Sequence, residues 1–134
     1  MEQGYLIDSN IVIGYLNNKL PADGMKIMHS IIDDIPQISV ITKIEILRFN
    51  TIPESYKVLH DFVSESKILD LNEIVVDNTI SICKSRRIKL PDAIIAATAL
   101  VNDFTLITQN ISDFKGISGL KLLNPWDLPA IAAQ

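Results

Sequence analysis

Cysteine and histidine are nearly missing from this chain, whose 134 residues hold one cysteine, Cys83, and two histidines, His29 and His60. That excludes an intrachain disulfide and a thiolate-rich zinc site, and it is compatible with a reducing compartment. Long apolar runs are missing too. The longest break off well short of the roughly 20 residues needed to span a bilayer, so no membrane association is expected. Met1-Glu2-Gln3-Gly4 carries no basic region followed by an apolar run and a small-residue cleavage site, which makes the cytoplasm the expected location. Positive charge is also in deficit: 12 Lys+Arg against 16 Asp+Glu leave a net charge of -4 at pH 7. A nonspecific nucleic-acid coat is disfavoured by that balance, although a local basic path is not. Repeats, low-complexity tracts and linkers are absent, and 48% apolar residues can bury a sizeable core. One domain over residues 1–134 is expected.

What is present is organised around LPDAIIAATALV, Leu90 to Val101. Pro91 suits a first helical turn, Asp92 faces the positive end of the helix dipole, and the residues behind them leave almost no polar face. A buried helix therefore begins at an acid. Upstream, Tyr5-Leu6-Ile7-Asp8 reads as a strand closed by a carboxylate, with a helix opening at Ser9-Asn10 and ending before Pro21. A helical pattern through Met25, Met28, Ile31 and Ile32 precedes Pro36, and Ile38-Ser39-Val40 reads as the next strand. Ser39 or Thr42 caps a helix carrying Ile44, Ile46, Leu47 and Phe49, and Tyr56, Leu59, Phe62 and Val63 mark another. Lys67 to Leu71 is a third strand, and Asn72 caps a helix whose predicted stripe is Val75, Val76, Ile80 and Cys83. Phe104 to Thr108 and Lys121 to Leu123 are the last strands, separated by a polar loop or short turn, and the tail after Pro125 is expected to be loosely docked or frayed. Strands alternating with helices predict an α/β, three-layer architecture: a mostly parallel central sheet with helices on both faces.

In such sheets, sites form outside the carboxyl ends of the strands. Asp8 closes the first strand, Glu45 follows the second by one or two helical turns, Asp92 starts the buried helix, and Asn110 and Asp113 follow the Phe104 strand. Each has a plain structural reading. Asp8 suits an N-cap, Asp92 a first-turn acid, Glu45 a partner for Arg48 three positions on, and Asp113 a turn residue. Converged, however, they repel one another by about 4 kcal/mol per pair at 4 Å and an effective dielectric near 20. Such a pocket calls for a cation, and oxygen donors without histidine or cysteine favour Mg²⁺ or Mn²⁺ over zinc.

Four segments, LIDSNIVIGYL, ITKIEIL, KLPDAIIAATAL and LITQNISDFKGI, in this order and spacing, resemble the PIN-domain ribonucleases, most closely the VapC-type toxins of bacterial toxin–antitoxin pairs. The resemblance runs over about residues 5–124. Two positions depart from the family pattern: Ser9 where threonine is usual, which keeps the hydroxyl, and Gln109 where arginine is often found.

The resemblance implies a PIN-like fold and a metal-dependent endoribonuclease that leaves 5′-phosphate and 3′-hydroxyl ends. It puts Asp8, Glu45 and Asp92 at the catalytic centre as ligands of one or two Mg²⁺ or Mn²⁺ ions, with Asn110 and Asp113 on the fourth motif; the chemistry of the side chains then suits Asp113 as a further catalytic ligand and Ser9, Thr108 and Asn110 as groups that position water. Lys43, Arg48, Arg86, Arg87 and Lys89, with Lys84 nearby, bracket the acids in sequence and are candidates for contact with RNA. By family analogy that RNA is a structured one such as a transfer RNA. A cognate antitoxin whose carboxyl-terminal segment lies along the early helices, and a homodimer, are implied partners. Two rivals stand beside this reading, a phosphatase or phosphoacceptor α/β domain and a noncatalytic PIN-like module. A phosphatase of the haloacid-dehalogenase type wants a second aspartate where Asn10 stands, and a receiver-like phosphoacceptor wants paired acids before the first helix. A noncatalytic PIN-like module binding RNA or protein would keep the shape without turnover.

Overall fold

The first four strands of this chain are short and each is followed within a few residues by a helix, so the fold advances in strand–helix steps. The computed structural model describes residues 4–128. In order these form β1 (Gly4–Ile7), α1 (Ser9–Leu16), α2 (Ala22–Ile32), β2 (Gln37–Ser39), α3 (Val40–Leu47), α4 (Pro53–Ser64), β3 (Lys67–Leu69), α5 (Glu73–Ser85), α6 (Leu90–Val101), β4 (Phe104–Ile107), α7 (Ile111–Phe114) and β5 (Lys121–Leu123). Three of the helix starts coincide with side-chain caps. Asp8, Ser39 and Asn72 each accept a backbone N–H from the first turn of α1, α3 and α5.

All the ladders are parallel. β4 pairs with β1 on one side and β5 on the other, Leu106 lying opposite both Leu6 and Leu122. β2 and β3 form a second, two-stranded ladder in which Ile38 faces Ile68. β2 lies alongside β1 without entering its hydrogen-bonded ladder.

Alternation along the strands sorts the core into two layers. Leu6 and Leu106 turn to one face, where Val75, Ile82, Phe114 and the alanines of α6 pack. Ile7 and Ile107 turn to the other, against Ile11, Val12, Met28, Ile46, Leu59, Phe62 and Val63 from α1 to α4. Helices therefore cover both faces, as the strand–helix alternation predicts. Within α6 every residue from Ala93 through Ala99 is buried, because α5, α3, α7 and β4 all pack against it.

Three local expectations are corrected. The buried stripe of α5 is Val75, Thr79 and Ile82, while Val76, Ile80 and Cys83 face outward. Thr79 tolerates burial because its hydroxyl donates to Val75 O at 2.8 Å. On α3, Ile46 is buried but Ile44 is 55% exposed, and Phe49, which lies beyond the end of the helix, is 38% exposed. The segment after β5 is docked: Trp126 packs on the core layer beneath α1 and α2, and Pro125 crosses α2 so closely at Gly24 that any side chain there would collide with its carbonyl. The expectation for the tail beyond residue 128 lies outside the described residues.

Candidate active site

Parallel pairing brings the ends of β1, β4 and β5 to one edge, and the ladder runs one residue past the strands. The Asp8 N–H donates to Ile107 O at 2.9 Å and the Thr108 N–H to Leu123 O at 3.0 Å. Two side chains with chemistry are thus held by the sheet itself.

Asp8 is 4% exposed. One carboxylate oxygen accepts from the Ser9 N–H at 2.8 Å, and the other accepts from the Thr108 hydroxyl at 2.8 Å. Thr108 Oγ1 in turn accepts from the Asn110 N–H at 3.1 Å. Burial pushes the Asp8 carboxyl up from 3.8 to about 6, the bonds from Thr108 and Ser9 oppose that rise, and the charges of Glu45 and Asp92 add to it. Glu45 stands on α3, half-buried, and its Oε1 accepts from the Ser9 hydroxyl at 3.1 Å. Among the described residues Glu45 has no ion pair, so the partnership with Arg48 three positions on does not form.

Asp92, in the first turn of α6, is partly buried. Desolvation raises its pKa first, the charges of Asp113 and Glu45 raise it further, and Lys89 at the helix N-cap lowers it. Asp113 is exposed on the short helix α7 and reaches the group electrostatically through Asp92. The four acids therefore form a chain of mutual repulsion running from Asp8 and Glu45 through Asp92 to Asp113. It is open, since among the described residues no three of His, Cys, Asp or Glu are gathered closely enough to make a ready-formed metal cage. The donor set consists of carboxylates, hydroxyls and amides, which fits a hard, oxygen-seeking divalent cation.

Of the basic residues singled out in the sequence, Lys43, Arg48, Arg87 and Lys89 are exposed on or beside α3 and at the α5–α6 junction. Arg86 is half-buried and turned toward the backbone of α7. Asn10 is a contributor that sequence reasoning passed over. Its Nδ2 lies 3.5 Å from Asp8 Oδ2 and its Oδ1 accepts from the Gln109 N–H at 3.3 Å, tying the β1 and β4 loops together. Its position two residues after Asp8, in the first turn of α1, was the available signal.

A family model described as PIN domain matches residues 5–120. Among solved structures, a toxin–antitoxin complex from Klebsiella pneumoniae is 26% identical with a TM-score of 0.75, the match covering 93% of this chain and all of that one (100%). VapBC2 from Rickettsia felis, bound to a promoter DNA fragment, is 25% identical over 92% of this chain and 98% of its own, with a TM-score of 0.71. The DNA-bound VapBC of Salmonella typhimurium shares the fold at 22% identity and a TM-score of 0.77, over 92% of this chain and 99% of that chain. No curated protein sequence matches the chain.

Proposed function

The chain belongs to the PIN-domain family, and from that membership we propose that it is a Mg²⁺- or Mn²⁺-dependent endoribonuclease toxin of the VapC type, neutralised by a cognate antitoxin. The observation that carries this reading is Asp8: a buried carboxylate at a strand end, its pKa raised to about 6 with two further acids adding to the rise. Holding like charges together in a desolvated pocket opposes stability, and it is useful where a cation or a phosphate-bound cation must be received.

Asp8, Glu45, Asp92 and Asp113 would hold one or two ions. A divalent cation bound there would neutralise phosphate charge and make water a better nucleophile near neutral pH. The chain's own contribution is orientation. Thr108 and the Ser9 N–H fix the Asp8 carboxylate, and the Ser9 hydroxyl fixes one oxygen of Glu45, leaving its other oxygen to orient water at the reacting phosphate. The Thr108 hydroxyl and the Asn110 amide extend the same support toward α7. Lys43, Arg48, Arg87 and Lys89 offer the exposed positive charge that an RNA backbone needs to approach an acidic protein.

The antitoxin reading draws support from the toxin–antitoxin complexes among the structural neighbours. A cleft of about 280 Å³ between α1 and α4, lined in part by Ile13, Leu16, Phe49 and Val58, offers an apolar seat on the early helices. Homodimer formation, a structured RNA target such as transfer RNA, and a cytoplasmic location belong to the same proposal; no helix of the described residues is long and apolar enough to cross a membrane. The noncatalytic module remains the second reading, favoured only by the open arrangement of the acids. One assay separates them: incubation with total RNA and Mn²⁺, followed by sequencing of new 5′ ends beside an Asp8→Asn control. Cuts made by the wild type and missing from the control support the nuclease. RNA bound but uncut by both supports the module.

A further inference from the structure

Arg86 stands where α5 has just ended, its backbone extended, and its guanidinium reaches across the fold to a helix 27 residues further along the chain. Nη1 donates to Lys115 O at 2.7 Å and Nη2 donates to Asp113 O at 3.2 Å. Nε is buried with no hydrogen-bond partner, and among the described residues Arg86 has no carboxylate within ion-pair reach. The charge is thus spent on two backbone carbonyls at the end of a four-residue helix.

That helix needs the help. In a longer helix the Ile117 N–H would bond Asp113 O, but here it bonds Phe114 O at 3.3 Å, because Gly116 with φ +90 turns the chain away. The orphaned carbonyl of Asp113 is taken by Arg86 instead. From this geometry we propose that Arg86 is a positioning residue. It clamps the carboxyl end of α7 and so sets where the Asp113 carboxylate stands relative to Asp92. The proposal rests on the nuclease reading for its effect on turnover, while the clamp itself is independent of that reading.

Arg86→Met keeps the length of the stem and removes both hydrogen bonds; Arg86→Lys keeps the charge and at most one of them. In the metal-free full chain, Arg86→Met is expected to speed amide hydrogen exchange at residues 113–117 by about tenfold, with α6 and the strands unchanged. Unchanged exchange there would overturn the clamp. In cleavage assays Arg86→Met should lower kcat about tenfold at nearly constant KM, in the range of residues that orient ligands, with Arg86→Lys intermediate. In an Asp113→Asn background the same substitution should cost nothing further, because both changes act on one carboxylate. Additive losses would overturn the route through Asp113.

A direct phosphate contact gives a different signature. Removing one would lower the salt slope of RNA binding by about one, whereas a positioning role leaves that slope unchanged. A wild-type chain that never cuts RNA would remove the proposed function and still leave hydrogen exchange to decide the clamp.

Discussion

Asp8 and Asp113 occupy the two ends of one row of acids and are held in opposite ways. Asp8 is buried, its backbone is the last rung of a parallel ladder, and both carboxylate oxygens receive short hydrogen bonds. Asp113 is exposed on a single turn of helix whose end is secured by one arginine. The buried end carries an electrostatic cost that the sheet offsets. The exposed end is screened by water, so a light support suffices, and its position is open to tuning without loss of the core.

If that contrast holds, the largest difference between the ends is in turnover. Asp8→Asn is expected to reduce RNA cleavage by about a thousandfold or more and to remove stabilisation by Mn²⁺, since it takes a rigidly held charge from the buried end of the row. Asp113→Asn should cost about ten- to a hundredfold, as expected of a more loosely placed contributor. Equal losses in single-turnover assays would break the comparison.

The second difference is in pH. The folded-state pKa of Asp8, about 6, exceeds the ordinary 3.8, so the unfolded chain loses this proton first as pH rises. Metal-free protein should therefore lose stability between about pH 4 and pH 6, by as much as about 3 kcal/mol from this group, and little more above that. Denaturant melts in EDTA at several pH values measure the slope. Asp8→Asn should flatten it and leave the metal-free protein more stable than wild type above pH 6. Asp113 is not among the charges acting on Asp8, so Asp113→Asn should keep that part of the slope.

Thr108→Val probes the support of the buried end. It removes the hydrogen bond that holds the Asp8 pKa down and leaves the Asn110 N–H without its acceptor. The Asp8 carboxyl should then titrate above 6 by NMR, with a stability loss of about 1–3 kcal/mol. A downward shift would mean that Thr108 does not donate to the carboxylate.

The same contrast explains how much could be read from the sequence. Asp8 and Asp92 are legible because each stands at a helix start, where proline, serine and asparagine signals and apolar periodicity mark the boundary, and Glu45 because it follows the second strand by one or two helical turns. The parallel order of the strands followed from their alternation with helices. Finer packing was less visible. Thr79 displaced Val76 and Ile80 from the core of α5 by satisfying its own hydroxyl, and no period-counting rule ranks a threonine above an isoleucine. Arg86 was illegible for another reason: its partners are carbonyl oxygens, which every residue possesses, so only the fold identifies Asp113 and Lys115 as the ones it meets.

The smallest expected effect tests whether the buried end is one unit or two. The Ser9 N–H serves Asp8 while the Ser9 hydroxyl serves Glu45, so one residue couples a strand end to α3. Ser9→Ala keeps the first bond and deletes the second. Net stability should change by less than about 1 kcal/mol, because a half-buried glutamate freed of one donor regains water. Cleavage should fall by about fivefold, the loss of one orienting bond at roughly 1 kcal/mol, and Ser9→Thr should restore it by returning the hydroxyl to the same place. A Ser9→Ala protein that cuts at the wild-type rate would detach Glu45 from the Asp8 support and leave α3 alone to position it.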